Sequence, residues 1–217
     1  MYKRQIVNGI TFTKVPIATL IEEGETGMTI RELCRNKTFW ILMLMMLCAG
    51  ASEQGVSQWA STFAEQGLGV SKTIGDLAGP MAFAILMGSS RAFYGKFGDR
   101  MDLDKFMIGS SILCIISYLC ISLAPSAFVS LVGCSICGFS VGIMWPGSFS
   151  KASMALRRGG TSLFALLALA GDVGCSGGPT LVGFVSGALS DDLKKGILAG
   201  VIFPVLLLVG ILLMKQD

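Results

Sequence analysis

The 217-residue sequence contains no histidine. That removes the commonest general base and metal ligand, the serine–histidine hydrolase site and the His-Glu-x-x-His pattern of metalloproteases. Charged residues are scarce too, at 14%, where soluble domains carry about a quarter. A chain with so little polar surface cannot cover itself in water, so the bilayer is the expected solvent. There is no Thr-Val-Gly-Tyr-Gly filter and no arginine-rich sensor helix, which argues against an ion channel. The net charge of +3 is small and points to no nucleic acid partner. Nothing calls for a catalytic residue, a cofactor or a metal. Cys134-x-x-Cys137 has redox or metal spacing, but it lies in an apolar, Gly-rich stretch with no second pair. With Cys48, Cys114, Cys120 and Cys175 it reads as small packing residues between helices.

What is abundant is apolar residues, 53% of the chain, with a mean hydropathy of +0.70. About 20 mostly apolar residues cross a bilayer as a helix. Six stretches qualify, at roughly 39–63, 75–94, 106–124, 127–149, 162–185 and 196–214. Threading the chain through them puts fourteen of its seventeen Lys and Arg on one side. The other side has only Lys72, Lys194 and Lys195. Cationic loops stay cytoplasmic. The expected placement is therefore multi-pass in the cell inner (cytoplasmic) membrane, with both termini in the cytoplasm.

Ahead of the spans, residues 6–36 are mixed and poorly periodic and read as a cytoplasmic linker. Within them Thr29-Ile30-Arg31-Glu32 fits a capping box, so a short helix is expected to start there. Residues 1–5, Met1-Tyr2-Lys3-Arg4-Gln5, resemble the translation of a transposase adapter used in sequencing libraries. They are read as non-native, and the natural protein as longer. No secretory signal is visible, since no apolar core precedes position 39. The transmembrane domain spans 37–217.

After the second span comes Gly95-Lys96-Phe97-Gly98-Asp99-Arg100-Met101-Asp102-Leu103-Asp104-Lys105. This resembles the signature loop of the major facilitator superfamily, with Gly95, Asp99 and Arg100 matching its glycine, acid and base. Asp102 replaces its second glycine, and Lys105 is what remains of its basic run. A glycine suits a tight turn at the membrane face, and an acid suits a helix N-terminus. Other stretches resemble the fucose-permease-like, sugar:proton symporter branch. They are Arg35-Asn36-Lys37-Thr38-Phe39-Trp40, Glu53 to Trp59, Met144-Trp145-Pro146, and Gly171 to Cys175 with Gly178-Pro179. The resemblance implies an all-α membrane protein: a six-transmembrane-helix bundle, the C-terminal half of a twelve-helix major facilitator fold. It also implies alternating access about a site shared with an N-terminal half.

An ionisable side chain in hydrocarbon is expensive and usually faces a cavity or a partner. Glu53 and Asp172 both fall within expected spans. Each is a candidate for proton coupling, with an interhelical hydrogen bond as the alternative. On the first span Glu53, Ser57 and Ser61 share a face, with Gln54, Gln58 and Thr62 on an adjacent stripe. A wide polar face suits a water-filled cavity, where amides and hydroxyls can meet sugar hydroxyls and Trp59 offers an aromatic plane. Gln54, Ser57, Gln58, Trp59 and Trp145 are the candidate solute contacts; for Trp145 an aromatic-belt anchor is the alternative. Pro146 removes a backbone hydrogen bond and is expected to bend its helix. Arg91 is expected to snorkel to the cytoplasmic surface, with an ion pair to an acid as the alternative. Gly138/Gly142, Gly174/Gly178, Gly183/Gly187 and Gly196/Gly200 are spaced for close helix packing.

The expected function is one half of a secondary active transporter moving a small solute, a sugar for preference, with proton coupling. Its partners are the bilayer, the solute, and a missing N-terminal six-helix half or a second copy of the chain. The alternative is a truncated or accessory membrane protein without transport activity of its own.

Overall fold

A computed structural model describes residues 8–11, 13–14, 27–68 and 71–215. Residues 1–5, read as adapter-derived, and most of the linker after them lie outside the described residues. The elements run α1 (Ile30–Arg35), α2 (Lys37–Ser57), α3 (Ala60–Leu68), α4 (Lys72–Asp76), a π-helical turn (Leu77–Met81) and α5 (Ala82–Phe97). After a 3-10 turn (Gly98–Arg100) come α6 (Leu103–Leu123), α7 (Ala127–Val141) and α8 (Met144–Ala155). A second 3-10 turn (Arg157–Gly159) leads into α9 (Gly160–Ala188), α10 (Leu193–Gly200) and α11 (Ile202–Lys215). No strand occurs among the described residues.

Among the described residues five helical stretches are long and apolar enough to cross a membrane: Lys37–Glu65, Leu103–Leu123, Phe128–Ala155, Arg157–Ala188 and Leu193–Lys215. The sixth expected span, 75–94, is helical but is not among them. Asp76, Gly79, Pro80, Ser89, Ser90 and Arg91 dilute its apolar character.

Several expected single helices are interrupted, and most of the breaks have one cause. Proline has no N–H, so the carbonyl four residues earlier loses its helical donor. Pro146 orphans the Gly142 carbonyl, and the chain breaks at Gly142–Ile143 between α7 and α8. Pro204 orphans Gly200, where α10 ends. Pro80 orphans Asp76, after which the helix widens to π form. Pro179 is the exception, because α9 runs through it unbroken. The first span breaks at Gln58–Trp59 without any proline.

The tightest packing joins α2 to α9. A Cβ on Gly50 would meet the Gly171 carbonyl oxygen, one on Gly174 the Leu47 oxygen, and one on Gly178 the Ala51 oxygen. With no side chains there, the two backbones touch, as the Gly174/Gly178 spacing predicts. Gly138 and Gly142 likewise let α7 approach Phe83 and Met87 of α5, and Gly196 and Gly200 approach Val182 and Tyr118. Gly183/Gly187 departs from expectation: Gly183 faces the Trp59 ring, and Gly187 has only Asp191 Oδ1 at 4.0 Å.

Phe83, Met107, Cys114, Tyr118, Cys134, Cys137 and Val141 fill the interior between α5, α6 and α7. All seven cysteines are free. Cys134 and Cys137 are buried in α7, and the Cys137 Sγ lies 4.0 Å from that of Cys114. Outward-facing positions are apolar, among them Ile112, Ile116, Leu119 and Leu123 along one face of α6. That is the surface a lipid solvent requires.

At the Lys- and Arg-rich end, Thr29 and Glu32 form the capping box their spacing predicts. The Thr29 N–H and hydroxyl hold the Glu32 carboxyl below its ordinary value of 4.5. Leu33 is fully buried against Phe39, Leu42, Leu156 and Leu163, and the Met28 N–H donates to the Arg158 carbonyl at 2.8 Å. The segment just before the first span is therefore docked on the bundle.

Candidate functional site

Glu53 lies in α2, with its side chain 15% exposed, and meets Arg91 of α5. Arg91 Nη2 stands 3.5 Å from Glu53 Oε2. Next to it on the guanidinium, Arg91 Nε donates to the Gly142 carbonyl at 3.2 Å. That is the carbonyl Pro146 deprives of its helical donor. Arg91 therefore does not simply reach for the membrane surface, as expected from sequence. It ties an acid on one helix to the break in another.

These groups border a cavity of about 480 Å³ lined by Glu53, Arg91, Trp145, Pro146 and Phe149. Two buried polar atoms around it have no hydrogen-bond partner: Glu53 Oε2, which makes only the long ion pair, and Trp145 Nε1. One accepts and the other donates. Buried polar atoms are almost always satisfied, so two unsatisfied ones around one cavity are exceptional. The Trp145 ring is pressed against Gly171 of α9, where a Cβ would stand 2.5 Å from the indole. Phe149 packs on Trp145 from one turn further along α8, with ring centroids 6.1 Å apart.

Of the residues singled out from sequence, Glu53 and Trp145 come together here. Gln54 and Ser57 are partly exposed on α2, and Gln58 is exposed at the helix break. None of the three lines this cavity. Trp59 also lies outside it: its Nε1 donates to the Pro179 carbonyl at 3.3 Å, and its ring covers Gly183. Asp172 is exposed on α9, and no ion pair forms at it among the described residues. Its neighbour Gly171 supports Trp145, so the acid stands beside the cavity wall, outside the lining. Phe149 was not singled out in the sequence; its place one helical turn after Trp145 is the signal that was there.

The signature loop has a different shape from the one expected. Gly95 is inside α5, with nothing within 4 Å of where its Cβ would stand. The chain turns instead at Gly98–Arg100, and Arg100 is exposed. Asp99 lies in that turn. Asp102, where the family pattern has glycine, is the N-cap of α6. Its side chain accepts from the N–H groups of Asp104 at 3.0 Å and Lys105 at 3.2 Å. The Lys105 N–H foremost holds the Asp102 carboxyl below the usual carboxylate range. Asp104 in turn pairs with Lys151 of α8.

Bundled apolar helices, broken spans and a cavity that carries an acid and a base between aromatic rings define a multi-pass membrane protein with the build of a solute carrier. The Major Facilitator Superfamily profile matches residues 8–179. The chain belongs to the major facilitator superfamily, a family of membrane transporters. A search of curated proteins finds no match.

Proposed function

We propose that the chain is the C-terminal six-helix half of a secondary active transporter, which moves a small hydroxyl-rich solute, a sugar for preference, by proton-coupled alternating access. The observation that carries the solute class is the pair of unsatisfied atoms, Glu53 Oε2 and Trp145 Nε1, around one cavity. Both atoms are closed to solvent in this conformation; a solute hydroxyl that reaches them as the cavity opens can donate to the first and accept from the second. The Glu53–Arg91 pair leaves the wall without net charge, which suits a neutral guest. The Trp145 and Phe149 rings offer apolar faces to the C–H side of a pyranose. A volume of about 480 Å³ falls in the ordinary range of small-molecule sites.

Support for a half transporter comes from α9. Asp172, Ser176 and Thr180 recur every fourth residue and are all exposed. Both hydroxyls bond back to α9 carbonyls, at 3.2 and 2.7 Å, and the Asp172 carboxylate is left as the charged group on that face. A carboxylate does not face lipid without cost. An N-terminal six-helix half would cover it, with both termini of this half cytoplasmic and the whole in the inner membrane.

The test is uptake by the protein expressed from the complete source gene, reconstituted in proteoliposomes with an imposed proton gradient. A panel of labelled monosaccharides is offered. Gradient-driven accumulation of one of them is expected, and Glu53→Gln is expected to abolish it. Accumulation by Glu53→Gln equal to that of the parent would remove Glu53 from coupling. Failure of every sugar, with success of a charged solute, would overturn the solute class.

A further inference from the structure

Four observations converge on one guanidinium. Pro146 supplies no N–H to the Gly142 carbonyl, four residues earlier. Arg91 Nε supplies the missing donor at 3.2 Å. Gly142 has no Cβ, and one there would lie 2.8 Å from Ser90 Cβ and 2.9 Å from the Met87 oxygen, so only glycine lets α5 come close enough for Arg91 to reach. The helix resumes at once, with the Gly147 N–H on the Ile143 carbonyl at 2.7 Å. The helix is interrupted at Gly142 and Ile143 and resumes at Met144, and the carbonyl that Pro146 orphans there takes its donor from a neighbouring helix. Nη2, beside Nε on the same edge of the guanidinium, faces Glu53 Oε2 of α2 at 3.5 Å.

Trp145 and Phe149 begin α8 immediately beyond this break. The angle at Gly142–Ile143 therefore decides where both rings stand in the cavity, and Trp145 has little latitude, pinned as it is against Gly171.

We propose that Arg91 is a positioning residue: by donating to the carbonyl that Pro146 orphans, while anchored on Glu53, it sets the α7–α8 bend and so places Trp145 and Phe149 in the solute cavity. A solute hydroxyl on Glu53 Oε2 engages the same oxygen that Nη2 faces. Occupancy of the cavity is then transmitted to the bend through one side chain. The proposal deepens the transporter reading and rests on it for the meaning of the cavity, but its central claim is geometric.

Two measurements test it on the protein expressed from the complete source gene, in lipid nanodiscs and proteoliposomes. The first is Trp145 fluorescence with Trp40→Phe, Trp59→Phe and any tryptophan outside these 217 residues likewise replaced as background, which needs no transport. Arg91→Lys keeps the positive charge but has no planar fork with which to serve both partners. It is expected to red-shift Trp145 emission by several nanometres and to raise acrylamide quenching about twofold. Adding Pro146→Ala restores a backbone donor to Gly142, and it is expected to cancel most of that shift. The second is uptake: Arg91→Lys is expected to raise the half-saturation concentration about tenfold, and by much less once Pro146→Ala is present. If Trp145 emission is the same in Arg91→Lys as in the parent, Arg91 does not set the bend and the proposal fails, whatever uptake does. Equal effects of Arg91→Lys with and without Pro146→Ala also overturn it, because they make Arg91 a charge partner of Glu53 alone. Should Pro146→Ala fail to fold, Arg91→Gln takes its place in the fluorescence arm: a shift no larger than that of Arg91→Lys supports the donor role, and a much larger one overturns it. Absence of any transported sugar, with the fluorescence shifts intact, would sink the solute reading and leave the positioning role standing.

Discussion

Lys151 of α8 and Asp104 in the first turn of α6 form an ion pair in which the lysine side chain is only 6% exposed. Asp104 also sits where the α6 dipole favours an acid. Removing one partner of a buried pair strands the other, at a cost of about 3–5 kcal/mol. The Asp104 side chain is 29% exposed, so the lower end applies. Asp104→Asn is expected to lower the thermal midpoint in detergent by several degrees. Asp104→Leu combined with Lys151→Met is expected to recover most of that loss. A midpoint unmoved by Asp104→Asn would mean that water already screens the pair.

The α2–α9 contact offers a comparison with its own control. A Cβ at Gly174 would land on the Leu47 carbonyl and lie 3.0 Å from the Ala51 nitrogen, both backbone atoms that no rotamer change can move. Overpacking of this kind costs about 1–3 kcal/mol. Gly177, three residues on, has nothing within 4 Å of its Cβ position. Gly174→Ala is expected to destabilise in a thermal-unfolding series, and Gly177→Ala to change nothing. Equal behaviour of the two would show that the helices do not approach this closely.

Glu53 and Asp172 are separable by the same uptake assay. Glu53 lines the cavity and Asp172 does not. Accumulation is expected to fall at least about tenfold in Glu53→Gln, a loss equivalent to roughly 1.4 kcal/mol or more. Asp172→Asn is expected to lose less. An equal or greater loss in Asp172→Asn would move proton coupling to α9.

The capping box at α1 should titrate. Glu32 is held below its ordinary value of 4.5 in the folded state, chiefly by the Thr29 N–H. Its contribution is therefore complete above that value and is lost as pH falls through the lowered one. Amide-exchange protection over Ile30–Arg35, corrected for intrinsic rates, is expected to be flat between pH 7 and about pH 5 and to decline below that. Glu32→Gln keeps an acceptor for the Thr29 N–H and should remove the pH dependence. Thr29→Ala should cut protection about fivefold at neutral pH, for a cap worth about 1 kcal/mol. A decline that persists in Glu32→Gln would assign it to another group.

Much of the architecture could be read from the chain because it depends on local chemistry. A run of about 20 apolar residues has few options but to be a membrane helix, and five of the six expected spans meet that standard in the structure. Gly174 and Gly178 announce a close helix contact because the absence of a Cβ is a property of the residue. Thr29 and Glu32 announce a cap because their spacing equals the reach of the two side chains.

The breaks and the site obey a different rule. Proline marks which carbonyl is orphaned, but not what becomes of it: α9 runs straight through Pro179, while α7 and α8 part at Pro146. The outcome depends on what the neighbouring helices bring to the gap. Arg91 could be seen in the sequence as a cation that reaches the surface or pairs with an acid, but which acid, and the Gly142 carbonyl beside it, had no local sign. Trp59 and Trp145 look alike as aromatic residues among polar and small ones. Packing sends the Trp59 N–H to Pro179 and leaves that of Trp145 unsatisfied beside a cavity. The sequence alone determined a family, a lipid solvent and the helices that meet it, because apolar length and turn chemistry act within a few residues. Only the tertiary structure decided which acid, base and indole share one space, because that requires helices distant in the chain to pack at backbone contact.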